Sequence, residues 1–385
     1  WIMNIGFIGI NSQSVSYSIK FDLSGHCCFL YDSDTDLVFN LNNKVFLSDE
    51  SKILENLVNT KNIYGSTDVT EVIKNSDIIF SFIDCELNAN NTINISPILD
   101  QIQSFYLASH LNILLYGKHF ILSTTLNPGD SKKIYEKISQ FGINFGILPN
   151  FLTEGQTYNS IINNNMYVLG TNSQDLSTTF TNLIRSINSN PKFYIMSFES
   201  AELIKLCISA ITANKIVVAN LLGDFMTSMG LKEEIPLVMS SISEDPKVGK
   251  QNMNYGLGYE ETNLGKEMKV LSEFAKNKKI EINIFNDLER ANQEHLNYLK
   301  YYYMILRPPK STPFIIDSLG LKKNNKNTET SQKFKLCIEL LQEGYIVNVI
   351  ENLDIANKFT SLSESFSNRL KFFKKGTNPE GVIIK

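Results

Sequence analysis

The stretch from Phe198 to Leu231 contains no proline, and its apolar side chains recur as Ile204, Ile208, Ile211, Val218, Leu222, Phe225 and Met229. A spacing of three or four residues is a helical stripe. A second row, Leu203, Cys207, Ala210, Ile216, Ala219 and Leu221, makes the helix apolar over most of its circumference. A helix of that kind is expected to be buried. Glu199 and Glu202 suit the N-terminal end of its dipole, and Gly230 supplies a stop. At ~1.5 Å per residue the rod would run roughly 45–50 Å, longer than one domain's core requires. Such a rod belongs between two domains or two subunits. One charge, Lys205, interrupts its apolar surface early on.

A chain of 385 residues exceeds one core, so two or three domains are expected around this rod. With 36 basic and 40 acidic residues the net charge is −4, which argues against a nucleic-acid surface. Cys27, Cys28, Cys85, Cys207 and Cys337 show no paired spacing and fall mostly in apolar runs, as reduced core thiols do. His26, His110, His119 and His295 form no metal-like cluster. No apolar run reaches the ~18 residues of a membrane span and no signal-peptide pattern precedes the first strand. A soluble, cytoplasmic protein without metal, membrane or nucleic-acid partners is expected.

Residues 3–8 make a short apolar strand, followed by Gly9, a polar turn, a helix to about Leu23 and a second strand at Cys27–Tyr31. Asp32 stands at the end of that strand, where a dinucleotide-binding unit keeps an acid for the ribose hydroxyls. Strands at Ile78–Ile83, Phe120–Ser123 and Asn144–Leu148 alternate with helical patterns at Thr70–Asn75, Ile98–Ser109 and Ser131–Phe141. Alternation of this kind gives a parallel, doubly wound sheet. Met166–Gly170 and Lys192–Ile195 add strands before the rod. Residues 232–300 are helical and polar-faced with a glycine-bearing loop at 254–265. Phe314–Ile316, Ser331–Glu343 and Tyr345–Ile350 then read as a second, smaller α/β domain, trimmed by an edge strand or helix. The expected domains are 1–196, 197–305 and 306–385: two Rossmann-like α/β domains joined by a long helix and a small helical domain.

Three stretches, in this order, resemble the UDP-glucose/GDP-mannose dehydrogenase family over nearly the whole chain. Leu148–Gly155 is similar to its PEFLxEG, Glu202–Leu206 to its EAxKL, and Asp245–Gly249 leading to Gly258-Tyr259 to its DxRIG…GFGG. The resemblance implies an NAD-dependent UDP-glucose 6-dehydrogenase, an oxidoreductase that takes a sugar alcohol to a carboxylate. It also implies a homodimer formed through the rod and a UDP-sugar as ligand. By position it carries over Lys205 as the active-site lysine, with Glu154, Thr125 and Glu267 as further catalytic positions, and Gly9, Asn11, Ser14, Asp32 and Thr125 as cofactor-binding positions.

Several of these positions depart from the family pattern. The G-x-G-x-x-G fingerprint falls on Gly9, Asn11 and Ser14, so only the first glycine is kept, and Asn11 projects where a phosphate would lie. Ile83-Asp84-Cys85-Glu86 puts two carboxylates where the family has a Thr-Pro turn. Anchored on Lys266-Glu267, the catalytic loop places Asn263 at the cysteine position, and an amide is no nucleophile for a thioester route. Glu260 and Glu261 replace loop glycines, Asn150 a glutamate and Ser209 an asparagine, while Glu329 falls near a nucleotide-binding arginine. Cys85 is the one other thiol near that chemistry. The expected function is therefore a catalytically inactive homologue (a pseudoenzyme) with a structural, assembly or regulatory role, holding NAD weakly or not at all. The alternatives are an active UDP-glucose 6-dehydrogenase with compensating residues and a thiol-independent two-electron alcohol dehydrogenase.

Overall fold

The computed structural model describes residues 2–48, 50–151, 156–260, 264–281, 283–306, 309–319, 331–351, 356, 359–366 and 369–384. The chain divides into two compact units, Trp1–Cys207 and Ile208–Lys385.

The first unit alternates strands and helices: β1 (Asn4–Ile8), α1 (Ser12–Leu23), β2 (Cys27–Tyr31), α2 (Thr35–Asn42), α3 (Ser51–Leu57), β3 (Ile63–Ser66), α4 (Val69–Asn75), β4 (Ile78–Phe82), α5 (Ser96–His110), β5 (His119–Ser123), α6 (Asp130–Ile138), β6 (Asn144–Ile147), α7 (Thr157–Asn163), β7 (Met166–Thr171), α8 (Gln174–Ile187) and β8 (Lys192–Met196). They form one sheet in the order β3-β2-β1-β4-β5-β6-β7-β8, parallel except where β6 meets β7. Every residue of β4 and β5 is buried, which explains why their sequences are mostly apolar without alternation: a central parallel strand is covered on both faces. Phe7, Tyr17, Phe21, Phe80 and Phe82 stack at the centre, with Tyr17 and Phe82 centroids 5.1 Å apart. From β1 the chain winds to β2 and β3 on one side, then crosses to β4 on the other. The crevice at the carboxyl ends of β1 and β4 is thus the switch point where such sheets bind ligands.

The rod is α9 (Phe198–Ser228). It ends as expected: Gly230 has φ +77°, and the Leu231 N–H reaches back to the Met226 carbonyl at 2.8 Å. Its burial differs from the expectation. Ile211, Phe225 and Met229 are 63%, 56% and 70% exposed, and Ile208, Val218 and Leu221 share their face. The inward face carries Ser209, Ala213, Ala219, Asn220, Gly223, Asp224 and Thr227 instead. Small residues allow close approach, so the Tyr255 ring lies directly on Gly223, and the large apolar stripe is left outside. Cys207 is likewise exposed, not a core thiol. The expectation that no segment could span a membrane needs correcting too. An 18-residue window of α9 has mean hydropathy 1.6, long and apolar enough by composition alone, although 39% of that window is buried within the protein.

The second unit continues with α10 (Ile235–Glu244), α11 (Lys266–Asn277), α12 (Ile284–Ile305), β9 (Phe314–Asp317), α13 (Gln332–Gln342), β10 (Val347–Ile350), α14 (Thr360–Ser365), β11 (Leu370–Phe373) and β12 (Val382–Ile384). Its sheet is all parallel, in the order β11-β10-β9-β12. The sequence reading had only β9 and β10; the edge strands β11 and β12 complete four. Phe314, Leu336, Leu340, Val347, Val349 and Tyr303 form its core.

Two substitutions test this packing. A Cβ on Gly223 would sit 2.0 Å from the Tyr255 ring, whereas one on Gly256 would meet nothing within 4 Å. Gly223→Ala should cost about 1–3 kcal/mol by overpacking, and Gly256→Ala much less, as read by chemical denaturation of the two variants.

Candidate functional site

The turn after β1 is held by its own atoms. Gly9 takes φ +98°, a conformation open to glycine, and its N–H donates to the Tyr31 carbonyl at 2.8 Å. The Ile10 N–H donates to Asp32 Oδ2 at 2.9 Å, and Asp32 Oδ1 accepts from Asp34 N–H at 3.0 Å. Asn11 caps α1: its Oδ1 accepts from the Gln13 and Ser14 N–H groups, each at 3.0 Å, while Ser14 Oγ accepts from the Asn11 N–H at 2.9 Å. The Asn11 Nδ2 donates to the Phe82 carbonyl at 2.9 Å, crossing from the β1 turn to the end of β4. The structure therefore brings Gly9, Asn11, Ser14 and Asp32 together as the sequence implied. Two N–H groups of the first turn of α1, those of Gln13 and Ser14, are held by the Asn11 side chain.

Thr125 lies half-buried in the turn that follows β5. That turn ends at Gly129, whose φ of +100° starts α6. Glu202, buried on α9, accepts the Gly129 N–H at 2.6 Å and the Ser131 N–H at 2.7 Å, and so caps α6. Burial raises the Glu202 carboxyl above its usual range, and these hydrogen bonds pull it back. Lys205, half-buried, follows Glu202 by one helical turn. Asp84 and Glu86 are exposed after β4, whereas Cys85 is buried.

In the second unit the described part of the loop preceding α11 is tied to two neighbouring helices. Tyr259 and Asn292 of α12 exchange two hydrogen bonds, N–H to Oδ1 and Nδ2 to carbonyl, both at 2.9 Å. Gln332 Nε2 reaches the same carbonyl at 3.2 Å, and the Tyr259 hydroxyl donates to Glu289 at 3.2 Å. Burial is the main cause that pushes the Tyr259 phenol far up, with the Glu289 charge adding to it. Gly258 sits at φ +86° with Asn292 Oδ1 only 2.3 Å from where a Cβ would be, so the glycine is obligatory. Glu260, Lys266 and Glu267 are all buried. Glu154, Glu261, Asn263 and Glu329 lie outside the described residues.

A buried network went unnoticed in the sequence. His295 on α12 has Nδ1 2.7 Å from Asp224 Oδ2, and its Nε2 donates to the Gly256 carbonyl at 2.6 Å. The Tyr255 hydroxyl donates to Asp224 Oδ1 at 2.9 Å, and Asn220 accepts the Gly256 N–H at 2.9 Å. The Tyr255 phenol is raised, by burial first and the Asp224 charge second. The sequence signal was Asn220 and Asp224, four apart in the apolar second half of the helix. No group of three or more metal-ligating side chains occurs among the described residues.

Residues 2–188 match the NAD binding domain of the UDP-glucose/GDP-mannose dehydrogenase family, and residues 199–294 match its central domain. A UDP-glucose 6-dehydrogenase of Rickettsia typhi is 24% identical over 371 residues, covering 92% of this chain and 82% of that protein. One of Rickettsia bellii is 20% identical over 363 residues with the same coverages. Among solved structures, a UDP-glucose dehydrogenase of Pyrobaculum islandicum superposes with a TM-score of 0.84 at 16% identity, over 97% of this chain and 86% of that one. A UDP-D-ManNAc dehydrogenase of Pyrococcus horikoshii gives 0.75 at 14% identity, over 99% and 98%. These last two likenesses are of fold. With both domains matched in order, the chain belongs to the UDP-glucose/GDP-mannose dehydrogenase family.

Proposed function

We propose that this protein is a non-catalytic member of its family. In this reading it is a soluble, cytoplasmic homodimer with a structural, assembly or regulatory role, and it holds NAD weakly or not at all. The observation that carries the reading is the anchored segment Tyr259-Glu260 before α11. Where the family pattern has glycines that let the loop pass close to a sugar, Glu260 is buried and Tyr259 is clasped by Asn292 and Gln332. The residue at the family's cysteine position is Asn263, and a carboxamide neither forms a hemithioacetal nor leaves as a thioester. Without that covalent intermediate, the second oxidation, aldehyde to acid, has no agent.

Retention of Lys205, Thr125 and Glu267 favours a second reading. Thr125 and Lys205 are half-buried in the first unit, as active-site groups can be. A lysine of this kind could serve a two-electron alcohol oxidation that needs no thiol, or a 6-dehydrogenase with compensating residues.

Turnover separates the three. The purified protein with UDP-glucose and NAD should form no NADH above the buffer rate. Formation of two NADH per sugar would establish the 6-dehydrogenase, and one NADH per sugar with aldehyde product the two-electron enzyme.

The dimer reading rests on the exposed face of α9, where Ile208, Ile211, Val218, Leu221, Phe225 and Met229 form a continuous apolar stripe. Contiguous apolar surface of that kind marks an interaction site. Light scattering at micromolar concentration should give twice the chain mass. Ile211→Glu with Phe225→Glu should give the monomer mass with the helical circular dichroism retained.

A further inference from the structure

We infer that Asn11 is a built-in ligand of the first unit's anion site: its side-chain amide sits in place of a pyrophosphate and sets this chain's rejection of dinucleotides. The inference deepens the reading that NAD is held weakly or not at all, by naming the residue responsible. It does not depend on the anchored segment of the second unit.

A phosphate at the start of a Rossmann helix is held by backbone N–H groups that have no other partner, on a helix end that favours negative charge. Of the seven residues from Gly9 to Val15, six have N–H groups that donate within the protein as follows. Gly9 donates to the Tyr31 carbonyl, Ile10 to Asp32, Asn11 to Ser14 Oγ, Gln13 and Ser14 to Asn11 Oδ1, and Val15 to the Asn11 carbonyl. Gln13 and Ser14 supply two of the N–H groups of the helix's first turn, and a single oxygen takes both.

The other end of the same amide explains why it stays. Asn11 Nδ2 donates to the Phe82 carbonyl at the end of β4, so the side chain spans the crevice between the two strands at the switch point. Rotating it away would forfeit three hydrogen bonds at once. A neutral amide also matches the rest of the turn, since Asp32 on one side and Asp84 and Glu86 after β4 supply negative charge and no cation. The chemical class excluded is the diphosphate. A glycine at this position would free the Gln13 and Ser14 donors and open the crevice.

The test is Asn11→Gly, with NADH and inorganic pyrophosphate as separate probes in calorimetric titration against the full chain. Glycine is a tolerated N-cap, and folding is checked by circular dichroism and thermal melting. The expected result is no saturable binding of either probe by the natural chain, and binding at least about tenfold tighter in the glycine variant. Asn11→Asp keeps the cap acceptor but puts an oxygen where Nδ2 donates to the Phe82 carbonyl, so it should melt somewhat lower than the natural chain while staying folded, and it should gain no binding, because a carboxylate repels the phosphate. If the folded glycine variant binds neither probe more tightly than the natural chain, Asn11 is not the determinant, and the non-catalytic reading stands on its loop. If Asn11→Asp also gains binding, the amide is not what excludes the anion and the inference fails. Micromolar NADH binding by the natural chain would overturn both the inference and the weak-NAD reading.

Discussion

Where a parallel strand leaves its sheet, the next backbone N–H groups lose their ladder partners and must find others. Both sheets meet this demand in the same way. After β1, Gly9 turns through a positive φ and donates to the last residue of β2, Tyr31, and the next N–H, of Ile10, goes to the acid that follows β2, Asp32. After β9, Ser318 turns at φ +66° and donates to the last residue of β10, Ile350, and the next N–H, of Leu319, goes to the acid that follows β10, Glu351. The two halves look different in sequence, yet the same closure fixes the first crossover of each. An acid after the second strand therefore has a structural task here whatever it does for a ribose. That weakens Asp32 as evidence for a cofactor while strengthening it as evidence for the fold.

This closure also explains which parts of the molecule could be read from the chain alone. Strands β1, β4 and β5 are buried and mostly apolar, and β2 is apolar with alternate residues buried, so apolar runs between turn residues mark them. Strands β3, β11 and β12 lie at sheet edges, have three or four residues each and carry mixed burial, and composition does not mark them. α8 could have been read, since Leu176, Phe180, Leu183 and Ile184 are spaced as one face and Ser173 caps it. The candidate site divides similarly. The turn at Gly9, Asn11 and Ser14 is local and visible, whereas His295 meets Asp224 across 71 positions and no short motif links them.

The long helix shows how a correct period can carry a wrong inference. Periodicity reported a helix with two apolar rows, and the natural conclusion was a rod buried all round. Periodicity says which residues share a face; it does not say which face its own domain takes. Here the domain takes the small and polar one. Ala219 packs with Ile235, Met239 and Met253, Gly223 admits the Tyr255 ring, and Asp224 enters the buried network with His295. Asp224 and Thr227 are affordable inside because each has an acceptor or donor in reach, which a buried polar group requires. The larger side chains would have held Tyr255 away from the helix.

Close packing on α9 in turn determines what the loop before α11 can do. Tyr255 and Gly256 are fixed to the helix through Asp224, Asn220 and His295, and three residues later Tyr259 is fixed to α12 through Asn292. Between these anchors Gly258 has a positive φ and no room for a Cβ, so the segment has one path. A loop restrained at both ends presents whatever side chain comes next at a set depth, and that side chain is Glu260, which is buried. In a loop ending in glycines the same restraint would hold an open path for a substrate. With glutamate at this position the same restraint sets a carboxylate at a buried depth.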